Sequence, residues 1–209
     1  PDPLRRPLAR VFRALERAAV RRFAAVVAPD DAILSRYDGA SRDGAVVRNT
    51  HDLETLASLS NVPPRDPFPV VYTSGSNLPD RNCVQMVDAL PLILEQVPAA
   101  VLRFAGTYAP GLENELRARA RQAGAEASLE LLGPLPYLEH FARSFRAHVG
   151  CVFLADTPKN HFANSNRLFE YMYCALPVLA EDLPGPRAVV EAARCGLIVD
   201  SRDPRTIAE

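Results

Sequence analysis

The chain has no tryptophan, two methionines and a single lysine, Lys159, among 24 basic residues. The arginine bias says more about genome composition than about function. A formal charge of −1 over 209 residues sets up no strong field, so nucleic acid is not an expected partner. Only four cysteines occur, Cys83, Cys151, Cys174 and Cys195. None forms a C-x-x-C pair and each has an apolar residue within two positions, so they read as buried free thiols in a reducing compartment. His51, His140, His148 and His161 lack ligand spacing, and no structural metal is expected. No apolar run reaches the ~18 residues of a membrane span, and no secretory leader is visible. The expected location is the cytoplasm. The chain opens on Pro1 and closes inside an apparent helix at 206–209, so both ends look cut.

What is present suits a globular protein with a sizeable core: 48% apolar and 23% charged residues. Charge is uneven, with seven arginines against Asp2 and Glu16 in residues 1–25. Residues 4–24 read as a helix with Leu8, Phe12, Leu15, Ala19 and Phe23 on one stripe. Its arginines permit two roles, contact with the anionic inner face of a membrane or a solvated face on an interdomain helix. Pro7 and the many alanines favour the second. A strand at 24–29, a short helix at 30–38 capped by Asp30 or Asp31, and a strand at 45–49 follow. Residues 60–68 hold three prolines and read as a linker.

From residue 68 short apolar strands alternate with helices. Strands are expected at 68–73, 99–106, 129–133, 149–155, 177–181 and 196–200. Helices are expected at 80–96, 112–124, 137–147, 166–174 and 186–194, with a kink or break at Pro91 and a stop at Gly124. The pattern predicts an α/β, Rossmann-like parallel sheet with helices on both faces. Ligands then sit beyond the carboxyl ends of the strands, where the loops read SGSNLPDR, GTYAPG, GPLP, ADTPKNHFANS, EDLPG and DSRD.

These loops, in this order, resemble the carboxyl-terminal domain of GT-B glycosyltransferases of the retaining family 4 type. VVYTSGSNLPDRN (70–82) is similar to that family's opening strand, glycine turn and basic residue. VLRFAGTYAPGLENELRARARQAG (101–124), LELLGPLP (129–136) and NRLFEYMYCALPVLAEDLPG (166–185) resemble its next segments, the last being the one that binds the donor. The resemblance divides the chain into the tail of an amino-terminal domain (1–60, ending near Asn49-Thr50-His51-Asp52), a linker (61–68) and a donor domain (69–209), most of the amino-terminal domain being absent. There are departures. The family often has two glutamates with seven residues between them; Glu170 matches the second, and Phe162 stands at the first. Ser76 and Arg81 occupy the two places where basic residues are common, and Ala175 stands where glycine is common.

The resemblance implies transfer of a sugar, with retention, from a UDP- or GDP-linked donor to a glycan or other acceptor, with no separate cofactor and no metal. Its chemistry assigns roles. Arg81 offers a bidentate fork to the phosphates and stabilises the departing diphosphate. Glu170 accepts from the ribose diol. The first amides of its helix, at Ser165, Asn166 and Arg167, can meet phosphate, and Arg167 can share the duty of Arg81. Gly75 and Ser76 bring amides to the sugar phosphate, Gly106 leaves room for the nucleotide, and Gly133, Pro134 and Leu135 present backbone and an apolar edge to the base. Glu191 has a ligand role or a solvated one; Asp156 and Lys159 are candidates for sugar contact. Glu170 and Glu181 are a conceivable hydrolytic carboxylate pair whose separation the sequence does not set. The alternatives are an epimerase or hydrolase of the same fold and a non-catalytic nucleotide-binding or assembly domain. The fragment alone is expected to be a poor catalyst.

Overall fold

The computed structural model describes residues 5–41, 43–47, 52–57, 63–157, 160–162 and 164–209. Asn49, Thr50, His51 and Lys159, singled out above, lie outside the described residues. The chain forms two compact units, Pro1–Thr50 and His51–Glu209.

The first unit holds α1 (Arg5–Val20), β1 (Val26–Ala28), α2 (Asp31–Ser35) and β2 (Gly44–Val46), the two strands paired in parallel. α1 ends before residue 24 because its last turn tightens, Arg22 and Phe23 donating to Ala19 and Val20 three residues back. Its stripe residues Leu8, Phe12 and Leu15 are exposed, as is Val11. The hydroxyl of Tyr37 donates to Glu16 and Arg17 donates to the Asp38 carbonyl, which ties α1 to the turn after α2. Asp30 is the cap of α2, its carboxylate accepting from the Ile33 N–H at 2.7 Å.

The second unit starts with α3 (Leu53–Ala57), then β3 (Val70–Thr73), β4 (Ser76–Asn77), α4 (Cys83–Gln96), β5 (Val101–Phe104), β6 (Thr107–Tyr108) and α5 (Leu112–Gln122). It continues through β7 (Leu129–Leu131), α6 (Tyr137–Arg146), β8 (Val149–Val152), α7 (Asn166–Tyr173), β9 (Val178–Glu181), α8 (Pro184–Ala193), β10 (Gly196–Val199) and α9 (Pro204–Ala208). A six-stranded parallel sheet runs in the order β10-β9-β8-β3-β5-β7. Starting at β3, the chain builds one side through β5 and β7, then crosses to β8 and builds the other. The direction reverses between β3 and β8, and that reversal opens a crevice at the carboxyl ends of the strands.

Alternation along the strands feeds two cores. Leu102, Phe104 and Cys151 face one side with Met86, Leu90 and Leu116 of α4 and α5 and Ile207 of α9. Val70, Tyr72, Val152 and Val178 face the other with Leu56 of α3, Phe141 of α6, Leu168 and Tyr171 of α7 and Val190 of α8. The sheet is thus covered on both faces, as the uninterrupted apolar strands require. α7 lies very close to it: a Cβ on Gly150 would fall 2.4 Å from the Tyr171 ring.

Pro91 does not end α4, which runs unbroken to Gln96. The proline removes one hydrogen bond, while Met86, Val87, Ala89 and Leu90 anchor the same helix in the core. Gly124 does close α5: it is left-handed at φ 69°, and the Gly124 and Ala125 amides bond back to Arg121 and Ala120. Ala175 closes α7 in the same way at φ 49°. The alanine therefore keeps the backbone that glycine would supply. Asp66, buried, accepts from Arg103 at 2.7 Å and Arg146 at 2.8 Å, and Arg103 also donates to Glu130 at 2.5 Å. That network pins the segment before β3 to β5 and α6. Among the described residues no helix is long and apolar enough to cross a membrane.

Candidate functional site

The crevice at the strand ends is a cleft of about 300 Å³, at the small end of ligand pockets. Three turns form one wall. After β3 come Ser74, Gly75 and Ser76; after β5, Ala105, Gly106 and Thr107; after β7, Pro134 and Leu135. The helices after β7 and β8 form the other, with His140 from α6 and Arg167 and Glu170 from α7.

The turns are locked by backbone bonds. The Gly106 N–H donates to Gly133 at 2.6 Å and the Thr107 N–H to Gly75 at 3.1 Å. Two short parallel strands, β4 and β6, continue the second contact; the sequence pattern treats these residues as loop. Gly106 sits at φ 112° and a Cβ there would lie 1.8 Å from the Gly75 carbonyl oxygen. Glycine is therefore required for the two turns to touch.

Arg167 is buried and bound to the sheet end. Its Nη1 donates to Thr73 Oγ1 at 3.0 Å and to the Ser74 carbonyl at 2.7 Å, and its Nε reaches Ser165 Oγ at 3.4 Å. Arg81 is not on the cleft wall. It ends a short 3₁₀ turn, Pro79–Arg81, with its guanidinium 3.8 Å from Asp80 and its Nε without a hydrogen bond. Burial, and then the nearby positive charge of Arg167, pull Arg81 below the usual arginine value. The Arg167 charge thus disfavours the charge on Arg81, a repulsion that a bound anion would relieve.

Glu170 is mostly buried and linked to protein groups. His140 Nε2 lies 3.0 Å from its Oε2, and His140 Nδ1 lies 3.1 Å from the Tyr72 hydroxyl. Burial raises the Tyr72 hydroxyl far above its ordinary value, so it stays protonated. Ser165, the N-cap of α7, provides no side-chain cap to its first amides, and Ser165 and Asn166 are not on the cleft wall.

The fold therefore gathers Gly75, Ser76, Gly106, Leu135, Arg167 and Glu170 around one cleft, leaves Arg81 off its wall, and uses Gly133 through its carbonyl to hold Gly106. His140 is a wall residue that sequence spacing did not single out. Other candidates separate from the cleft. Glu181 is buried elsewhere, accepting from Ser201 Oγ, with Asn82 Nδ2 at 3.5 Å, so it makes no hydrolytic pair with Glu170 across the cleft. Glu191 is on an exposed helix face, paired with Arg187 at 2.7 Å. Asp156 pairs with His161 at 2.5 Å. Phe162 is 55% exposed, and its backbone packs on Gly185. Among the described residues no three His, Cys, Asp or Glu side chains cluster as metal ligands.

No curated protein matches the chain, but solved structures share its fold. HepE of Anabaena in complex with UDP-glucose aligns at 20% identity and a TM-score of 0.68, over 94% of this chain and 56% of that one. Sucrose-phosphate synthase of Thermosynechococcus elongatus aligns at 19% identity and 0.68, over 94% and 50%. The carboxyl-terminal domain of the group 1 glycosyl transferase LpcC of Francisella tularensis aligns at 15% and 0.56, over 76% and 80%. The chain spans about half the length of the first two. Residues 59–209, which hold the six-stranded sheet and the cleft, match the family described as glycosyl transferases group 1, and the chain belongs to that family.

Proposed function

We propose that the cleft is the donor site of a retaining glycosyltransferase that moves a sugar from a UDP- or GDP-linked donor to a glycan or other acceptor. The observation that carries the reading is the position of Glu170: on the cleft wall, facing turns built from Gly75 and Gly106, with Arg167 one helical turn away. In this reading Glu170 accepts from the ribose diol, and Leu135 with Pro134 gives the base an apolar edge. Gly75, Ser76 and the first amides of α7, at Ser165, Asn166 and Arg167, take the phosphates together with the Arg81 and Arg167 pair. Fixed cations there favour the departing diphosphate over the bound donor, which is how they accelerate transfer. HepE of Anabaena has been solved with UDP and with UDP-glucose, which supports a nucleotide-sugar ligand here. The reading names no separate cofactor and puts the protein in the cytoplasm.

Acceptor recognition falls to the rest of an amino-terminal domain, so residues 1–209 alone bind donor weakly and transfer little. α1 keeps two roles: packing against that domain, which we favour, and contact with anionic lipid. Cosedimentation of the Arg13→Glu, Arg17→Glu, Arg21→Glu triple variant with anionic vesicles separates them. A non-catalytic nucleotide-binding domain is the second reading, favoured by exposed Phe162 where the family's first glutamate stands. The test of the first reading is a thermal-shift panel of UDP, GDP, ADP and their sugar conjugates. At saturating ligand one base should stabilise the chain selectively; no shift from any of them overturns the reading. A chain that binds UDP yet transfers no sugar when joined to its amino-terminal domain supports the second.

A further inference from the structure

We propose that His140 is a positioning residue that sets the orientation of Glu170 and thereby the site's preference for a ribose diol; this rests on the donor-site reading above. The geometry is a three-member chain from the sheet to the cleft. The Tyr72 hydroxyl is 3.1 Å from His140 Nδ1, and His140 Nε2 is 3.0 Å from Glu170 Oε2. An ionised carboxylate only accepts, so the nitrogen facing it must carry the proton. Neutral imidazole then has a bare Nδ1, which needs a donor, and the tyrosine hydroxyl supplies one. Tyr72 thus fixes the tautomer in which His140 donates to Glu170.

The ring itself is held. It stacks on Tyr72 at 6.1 Å and 28° and meets the edge of Phe141 at 5.2 Å. Tyr72 is fully buried in β3 and Phe141 in α6, so the donor nitrogen is set by buried residues of two elements. Glu170 comes from a different helix and lines the cleft. A charge-assisted bond from a held ring sets which way its carboxylate turns. A carboxylate has about four lone-pair sites, so a bond at Oε2 leaves capacity for a diol. His140 also lines the cleft, yet its role is exerted through Glu170.

The consequence is selective. Loss of the His140 donor should weaken only ligands that use Glu170, those with ribose hydroxyls. The test is calorimetry of the full chain with UDP and GDP and with their 2′,3′-dideoxy analogues. Removing a hydrogen bond to a charged group corresponds to about tenfold in affinity. His140→Leu should weaken the ribonucleotide about tenfold and leave the dideoxy analogue unchanged. His140→Gln, whose amide nitrogen can stand where Nε2 stood, should restore ribonucleotide binding to within about threefold. Tyr72→Phe, which keeps the packing, should give a smaller loss with the same selectivity and stands in if His140→Leu fails to fold. Equal weakening of both nucleotides, or none, overturns the proposal while leaving the donor site intact. Failure of the unaltered chain to bind either ribonucleotide overturns the donor-site reading and this proposal with it.

Discussion

Replacing Gly106 by alanine should damage both the fold and the cleft, and the size of the effect can be worked out from the turn. The new Cβ would sit 1.8 Å from the Gly75 carbonyl oxygen, 2.7 Å from its carbon and 2.9 Å from its nitrogen. All three are backbone atoms, so no side-chain rotation relieves the clash; the β3 turn must retreat by more than about 1.5 Å to reach ordinary contact. Retreat breaks the Thr107 to Gly75 bond and strains the Gly106 to Gly133 bond. A φ of 112° is itself unfavourable for alanine by about 1–3 kcal/mol, and each lost hydrogen bond adds about 1 kcal/mol. The total is about 2–5 kcal/mol, or a fall of about 10 °C in Tm. Nucleotide affinity should fall at least about tenfold because the cleft wall has moved. Gly124→Ala is the control. Its φ is 69° with no atom within 4 Å of the added Cβ, so it should cost about 1 kcal/mol of strain and leave binding unchanged. Thermal melts and calorimetry on both variants decide the matter. A Gly106→Ala chain that melts within the range of the control and binds nucleotide normally would refute the reasoning.

Three further outcomes are expected. Asp66→Asn removes the charge that pairs with buried Arg103 and should destabilise by about 3 kcal/mol in urea titration. Burial pushes Asp66 up, but hydrogen bonds from Arg103 and Arg146 outweigh it and hold the carboxyl below 3.8. Its contribution is therefore complete above about pH 4 and lost as pH falls through the lower folded value, so the gap between the two chains should narrow in acid. Ala175→Gly should raise stability by up to about 1 kcal/mol, seen as a higher Tm, because residue 175 is left-handed at φ 49°. Burial pushes the thiols of Cys151 and Cys174 up to about 12, so at pH 8 both should resist a thiol reagent in the native chain and react only on unfolding.

Much of the doubly wound unit was legible because its strands are short apolar runs closed by glycine or proline, and its helices carry stops such as Gly124. What escaped reading has physical causes. Pro91 looked like a break, but core packing of Met86, Val87 and Leu90 outweighs one missing N–H. β4 and β6 are two residues each, too short for alternation to register. The cleft was legible where backbone made it: Gly75, Gly106 and the Leu135 turn announce themselves as glycine or proline turns after strands. Side-chain placement was less so. Arg81 stays off the wall, closing the 3₁₀ turn ahead of α4. His140 reaches Glu170 across 30 residues of sequence, a pairing that depends on how α6 and α7 pack and that no spacing encodes.

The most direct measurement is calorimetry of the stabilising nucleotide diphosphate against the unaltered chain and against Glu170→Gln, which keeps shape and removes the acceptor charge. A ribose-bound carboxylate predicts a loss of at least about tenfold for Glu170→Gln, from hydrogen bonds to a charged group. Equal affinity in the two chains would mean that Glu170 does not hold the donor, and the cleft would have to be assigned another ligand.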